Sequence, residues 1–222
     1  MLERLVTRME DYPTTNKEEL NRWTALLEAL LLRIAEAAQK YQKQYYFGGG
    51  IAIDLNFGGF TRPHADLDFY PREEDTAWWQ EWFRSQGYIV STDRDMEPLL
   101  NAFSVINESN DYFADVYPIA VGTNGEISMA VYEGTESVWD GMLIIQGDRA
   151  VWEGKSWNEV RSVTYKGQTV YIENYKTVLM QKEEYLKLHP GEAPSEKHLH
   201  DFQRAGIGNF DKDGNKLGVF SL

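Results

Sequence analysis

The chain has 222 residues, with 22 Lys and Arg against 35 Asp and Glu, a formal net charge of −13, 42% hydrophobic residues and no cysteine. Its length and apolar content support a folded core and exclude wholesale disorder. The missing cysteines exclude disulfides, thiolate nucleophiles and Cys-based metal centres, and the acidic excess argues against broad binding to nucleic acid or anionic membranes.

Met1-Leu-Glu-Arg-Leu places charges where a signal peptide would begin its apolar segment. The apolar block from Ala25 to Ala35 is interrupted by Glu28 and Arg33 and is too short for a bilayer span. A cytoplasmic protein is expected. From Lys17 to Tyr41, Leu20, Trp23, Leu26, Leu27, Leu30, Leu31, Ile34 and Ala38 recur at helical spacing, which predicts one long helix with a buried stripe. Tyr45 to Phe47 reads as a short strand that stops at Gly48-Gly49-Gly50. Ile51 to Phe57 follows as one or two helical turns closed by Gly58-Gly59. After a loop at Thr61 to His64, Leu67 and Phe69 mark a second strand, ended by Pro71.

Asp75 to Gln86 is a helix with Trp78, Trp79 and Trp82 as core anchors, and Tyr88 to Ser91 is a strand. Asn101 to Ile106 and Tyr112 to Ile119 form a hairpin about Asn107 to Asp111. Strand-like pieces follow at Ile127 to Tyr132 and Met142 to Gln146, then a second hairpin, Val163 to Tyr165 and Thr169 to Ile172, around Lys166-Gly167. Asn174 to Leu188 and Ser195 to Ala205 are helices. The class is α+β, a mixed β-sheet flanked by helices with a C-terminal helical lobe. Two parts are expected: residues 1–172, including a strand-rich extension on the acceptor side, and residues 173–222.

The chemistry concentrates between Gly48 and Asp68. Side chains at i and i+2 of a strand share a face, so Asp66 and Asp68 would stand side by side. Paired carboxylates raise each other's pKa unless a cation neutralises them, and an oxygen-only ligand set suits Mg²⁺ or Mn²⁺. Asp93-Arg-Asp95 and Asp211-Lys-Asp213 repeat the pattern. The Asp66 copy alone lies between apolar strand residues and follows a glycine turn that opens a helix, where backbone N–H groups can approach a phosphate. Acids for a metal beside amides for a phosphate are what nucleotidyl transfer needs. Asp115, a single acid in the apolar strand Tyr112-Phe-Ala-Asp-Val-Tyr-Pro118, would complete the site as a third metal ligand or as the group that accepts the acceptor hydroxyl's proton.

The residues Gly48-Gly-Gly-Ile-Ala-Ile-Asp-Leu55, then Gly58, then Thr61-Arg-Pro-His-Ala-Asp-Leu-Asp68 resemble the nucleotidyltransferase superfamily of the DNA polymerase β type, in the form found in aminoglycoside and lincosamide nucleotidyltransferases. The resemblance implies that Asp66, Asp68 and Asp115 are catalytic acids and metal ligands, and that Gly48, Gly49 and Gly50 meet the triphosphate. Gly50 stands where such enzymes often carry Ser or Trp. Arg62 and His64 are further nucleotide-binding candidates. Lys176 and Lys182 are candidates for the family's phosphate-reaching lysine, with Lys182 preferred. Lys197 and Asp201 resemble its Lys-x-x-x-Asp helix, although a surface ion pair explains that spacing equally well.

The implied reaction moves a nucleoside monophosphate, AMP from ATP or the equivalent from another NTP, onto a hydroxyl of a small and preferably cationic molecule such as an aminoglycoside. Two other readings stay open. One is a toxin-type enzyme that modifies tRNA or protein, against which the acidic charge weighs for tRNA. The other is a non-catalytic nucleotide-binding relative.

Several features have plainer readings. Asp54 and Arg62 would pair to fix the loop before the Asp-x-Asp strand. His198 and His200 face different ways on a helix, which argues against zinc. Asp211 to Asn215 reads as a hairpin turn rather than a calcium loop. Trp139, Trp152 and Trp157, with Glu133, Glu136, Asp140 and Glu153 nearby, suit either a cationic ligand or strand packing.

Overall fold

The computed structural model describes residues 16–92, 98–108, 111–136, 143–188 and 195–206. Helix α1 (Lys17–Tyr41) starts where the Asn16 side chain accepts from the Glu18 amide at 3.0 Å, and it ends at Gln42 in the left-handed region. Trp23, Leu27, Leu30, Leu31 and Ile34 form its buried stripe, whereas Leu26, expected on that stripe, is exposed. The chain continues through β1 (Tyr45–Phe47), α2 (Gly49–Asn56), β2 (Leu67–Pro71), α3 (Thr76–Ser85), β3 (Ile89–Ser91), β4 (Phe103–Ile106) and β5 (Tyr112–Val116). Then come β6 (Ala120–Val121), β7 (Glu126–Ala130), β8 (Leu143–Gln146), β9 (Arg149–Ser156), β10 (Arg161–Tyr165), β11 (Gln168–Ile172), α4 (Tyr175–Leu188) and α5 (Glu196–Arg204).

Among the described residues the strands form two sheets. The larger has the order β10-β11-β1-β2-β5-β4-β3 and is mixed, because β1/β11 and β2/β5 run parallel and its other pairs antiparallel. The smaller, β6-β7-β9-β8, is antiparallel throughout. Its β7 and β8 fall where strand-like pieces were expected. Two strands were missed: β6, only two residues long, and β9, whose Glu153-Gly154-Lys155 breaks the apolar alternation that marks a strand in sequence.

The strand period of two sorts the larger sheet's residues. Tyr45, Phe47, Leu67, Phe69, Ala114 and Val116 belong to the main core with the stripe of α1 and with Trp79 and Phe83 of α3. The intervening Tyr46, Tyr70 and Tyr117 belong to a second core with Ile127, Met129 and Trp152 of the smaller sheet. Asp68 and Asp115 alternate with the main-core residues in the same way, so they share the face of the three tyrosines. Helices α4 and α5 pack on α2 and on each other, which brings the C-terminal helices over the glycine turn. The change from strand to helix falls between Ile172 and Tyr175. No helix among the described residues is long and apolar enough to cross a membrane. Asp93, Asp95, Trp139, Asp140 and Met142, and the hairpin turn expected at Asp211 to Asn215, lie outside the described residues.

Candidate active site

The glycine turn is built against the acids. The Gly48 amide donates to the Asp68 carbonyl at 2.9 Å, which closes β1 onto β2, and Gly48 caps α2. Gly49 has φ +59°, a left-handed conformation that only glycine adopts cheaply. A Cβ there would lie 1.8 Å from Asp68 Oδ2, and one at Gly50 would lie 2.1 Å from Arg62 Nη2. No side chain therefore fits between the turn and either charged group. The first amides of α2 have no intrahelical acceptor, which is the arrangement that receives an anion.

Asp68 and Asp115 are direct partners in the parallel register of β2 and β5, and Asp66 precedes Asp68 by two residues. All three are partly accessible. The Tyr117 hydroxyl donates to Asp115 Oδ2 at 3.2 Å. Burial pushes the Asp66 carboxyl well up, and the negative charges of Asp68 and Asp115 add to the shift. Burial also raises Asp68, although Lys182, Lys155, Lys197 and Arg62 oppose it. The acids feel one another, yet among the described residues no three His, Asp or Glu side chains form a ready-made metal cage.

Positive groups reach this site from the C-terminal helices. Asp201 of α5 is fully buried and takes both arms of Arg62, Nε to Oδ1 and Nη2 to Oδ2, each at 3.0 Å. Lys182 of α4 lies 3.2 Å from Asp201 Oδ2. Burial alone would raise the Asp201 pKa, but Lys182 and Arg62 hold it below the usual carboxylate range. Burial lowers the Lys182 pKa, opposed by Asp201 and Asp68.

Two pairings differ from expectation. Asp201 bonds Arg62 and Lys182 rather than Lys197, because it sits on the inner side of α5, while the charge of Lys197 bears on Asp66 and Asp68. Asp54 does not pair with Arg62. Fully buried, it accepts from the Thr61 amide at 2.9 Å, the Thr61 hydroxyl at 2.5 Å and His64 Nε2 at 2.9 Å. His64 is itself buried, and burial lowers its pKa despite Asp54, so the neutral ring donates its Nε2–H. Lys176 lies in the first turn of α4, where its amide donates to the Asn174 side chain.

Trp152 lies in the second core with Lys155 Nζ 3.5 Å from its ring centroid, so the protein's own cation covers the face suggested for a cationic ligand. Sequence reading missed Lys155 and Glu173, which form a buried ion pair at 2.9 Å. A lysine in an otherwise strand-like stretch was the available signal.

Solved structures of low identity share this fold. The crystal structure of the lincosamide antibiotic adenylyltransferase LnuA, lincomycin-bound, is 20% identical with a TM-score of 0.54, over 79% of this chain and 94% of that one. The solution structure of the antibiotic-resistance factor ANT(2'')-Ia is 19% identical with a TM-score of 0.53, over 82% and 83%. The crystal structure of ANT(2'')-Ia with adenylyl-2''-tobramycin is 16% identical with a TM-score of 0.50, over 82% and 88%. No curated protein matches the sequence.

A mixed sheet of this order, entered through a glycine turn and a short helix, is a nucleotidyltransferase fold, and the protein is a nucleotidyltransferase. The family model for aminoglycoside-2''-adenylyltransferase matches residues 30–205, and the chain belongs to that family.

Proposed function

We propose that the protein adenylylates a hydroxyl of a small cationic antibiotic of the aminoglycoside or lincosamide type, with ATP as donor, and so inactivates the drug. The register that sets Asp68 against Asp115 beside the Gly48–Gly50 turn is the observation that supports this reading most strongly. Asp66, Asp68 and Asp115 suit Mg²⁺ or Mn²⁺, because they are oxygen donors whose charges destabilise one another where they stand. When bound, the metal would neutralise the triphosphate and polarise the reacting phosphorus centre.

The chain's own residues divide the remaining work. The turn's amides bind phosphate oxygens, and Gly49 and Gly50 leave room for that approach. Lys182 and Lys197 add positive charge where the pyrophosphate develops. Arg62 and His64 serve the nucleotide through the loop they fix, since each is committed to a carboxylate, Asp201 and Asp54. Asp115, oriented by Tyr117, accepts the acceptor hydroxyl's proton. The acceptor oxygen forms a bond to the α-phosphorus, the bond from that phosphorus to the bridging oxygen breaks, and pyrophosphate leaves with the electron pair. A cytoplasmic location fits the supply of ATP.

The test is incubation with ATP, Mg²⁺ and a panel of aminoglycosides and lincosamides, read by mass spectrometry and pyrophosphate release. An acceptor heavier by one AMP is expected. Failure to bind nucleotide, together with no transfer to any member of the panel, would remove the proposal.

A further inference from the structure

Where the two sheets meet, two charged side chains outside the acid cluster are buried together. Lys155, near the end of β9, and Glu173, the first residue after β11, pair through Nζ and Oε1 at 2.9 Å, with side chains 3% and 5% exposed. A buried ion pair is often no more stabilising than apolar residues of the same volume, so its value lies in what the two groups hold.

Glu173 grips the glycine turn from three sides. Its amide donates to the carbonyl of Phe47, the last residue of β1, at 2.9 Å. Its carbonyl accepts from the side chain of Asn56, the last residue of α2, at 3.0 Å. Its Oε2 lies 2.9 Å from where a Cβ on Gly48 would stand. One residue thus touches the strand entering the turn, the turn itself and the end of the helix leaving it.

Lys155 comes from the other sheet. Its ammonium lies 3.5 Å from the ring centroid of Trp152, 5.0 Å from that of Tyr70 and 5.8 Å from that of Tyr46. Tyr70 is two residues past Asp68 on the same face, and its ring edge comes within 2.6 Å of the Cβ position of Gly48. The smaller sheet therefore reaches Gly48 from Lys155 through both Glu173 and Tyr70.

We infer that Lys155 and Glu173 are positioning residues that clamp the glycine turn to the smaller sheet and hold its amides in place for the triphosphate. The inference rests on the donor-site reading above, and it gives the smaller sheet a part in binding the nucleotide.

The test compares the wild type with Lys155→Met/Glu173→Gln, which removes both charges at nearly constant volume, and with Glu173→Gln alone, which leaves Lys155 in its aromatic cage. The readouts are melting temperature, hydrogen exchange of the Gly48 and Ala52 amides, whose bonds to the Asp68 and Gly48 carbonyls bracket the turn, and affinity for MgATP without acceptor. A clamp predicts a melting temperature close to the wild type for the double variant and a lower one for Glu173→Gln alone, which leaves the Lys155 charge buried without its counter-ion. In both variants it predicts exchange at these two amides about tenfold faster and MgATP binding about tenfold weaker, as a displaced binding group would give. The KM for the acceptor should stay within about twofold.

Unchanged exchange and affinity in either folded variant would overturn the inference, as would exchange that rises equally across both sheets. If the wild type binds no MgATP, the donor-site reading falls, and the exchange at Gly48 and Ala52 still decides whether the clamp exists.

Discussion

Asp54 illustrates how a single buried carboxylate can order a loop. Burial would raise its pKa, but the bonds from His64, the Thr61 hydroxyl and the Thr61 amide outweigh burial and lower it from the usual 3.8 to about 2. Because the folded-state value lies below the unfolded one, this stabilisation is fully present above about pH 4 and is lost as pH falls toward about 2. The shift corresponds to about 2 kcal/mol. Asp54→Asn should therefore lower stability by about that amount at pH 6, and its deficit against the wild type should shrink steadily below pH 4. Urea unfolding of both proteins at several pH values measures this, and a deficit that does not vary with pH would contradict it.

The same residues show what sequence could and could not disclose at this scale. The placement of Gly49, Gly50 and Asp68 was legible because a turn and a strand impose local rules, whereas Asp66, expected on the same strand, lies one residue before it. The partner of Asp54 was not, since either Arg62 or His64 could turn inward from one short loop.

At the scale of elements, α5 is fastened by one acid. Asp201 joins α5 to α4 through Lys182 and to the loop before β2 through Arg62. Removing one partner of a buried charge cluster leaves the others uncompensated and costs about 3 kcal/mol or more. Asp201→Ala should lower the melting temperature by about 6–12 °C and make the α4–α5 segment more open to limited proteolysis. A change of a degree or less would show that the cluster does not hold the helix.

Sequence spacing put Lys197 and Asp201 on one helix but could not say which side of that helix is covered, so Arg62, 139 residues away, was not visible as the partner. Asp115 was legible for the opposite reason. A lone acid between apolar strand residues must sit on the alternate face, and pairing β5 beside β2 then aligns it with Asp68. Strand β9 was hidden because its charged tip, Glu153-Gly154-Lys155, serves a contact between sheets rather than an alternating pattern.

At the scale of the whole molecule, the two faces of the larger sheet differ in character. The α1/α3 face is an apolar core, whereas the other face changes along its length from packed tyrosines to mutually repelling acids. Such a cluster lowers the stability of the ligand-free protein until positive charge arrives. Asp68→Asn should thus raise the melting temperature of the metal-free protein by a few degrees, equivalent to about 1 kcal/mol, while lowering transfer activity by about a thousandfold or more.

The wild type should respond to Mg²⁺ and ATP together. At about a hundred times the dissociation constant, ligand linkage contributes about 2.7 kcal/mol and raises the melting temperature by about 5–10 °C. The Asp68→Asn protein should show little of that rise, and chelation should reverse it in the wild type. Thermal melts of both proteins, with chelator, with Mg²⁺ and with Mg²⁺ plus ATP, separate the possibilities. If both proteins shift equally, the ligand binds away from these acids. If the substitution instead destabilises the metal-free protein, the acids are structural partners rather than a charge cluster waiting for a cation.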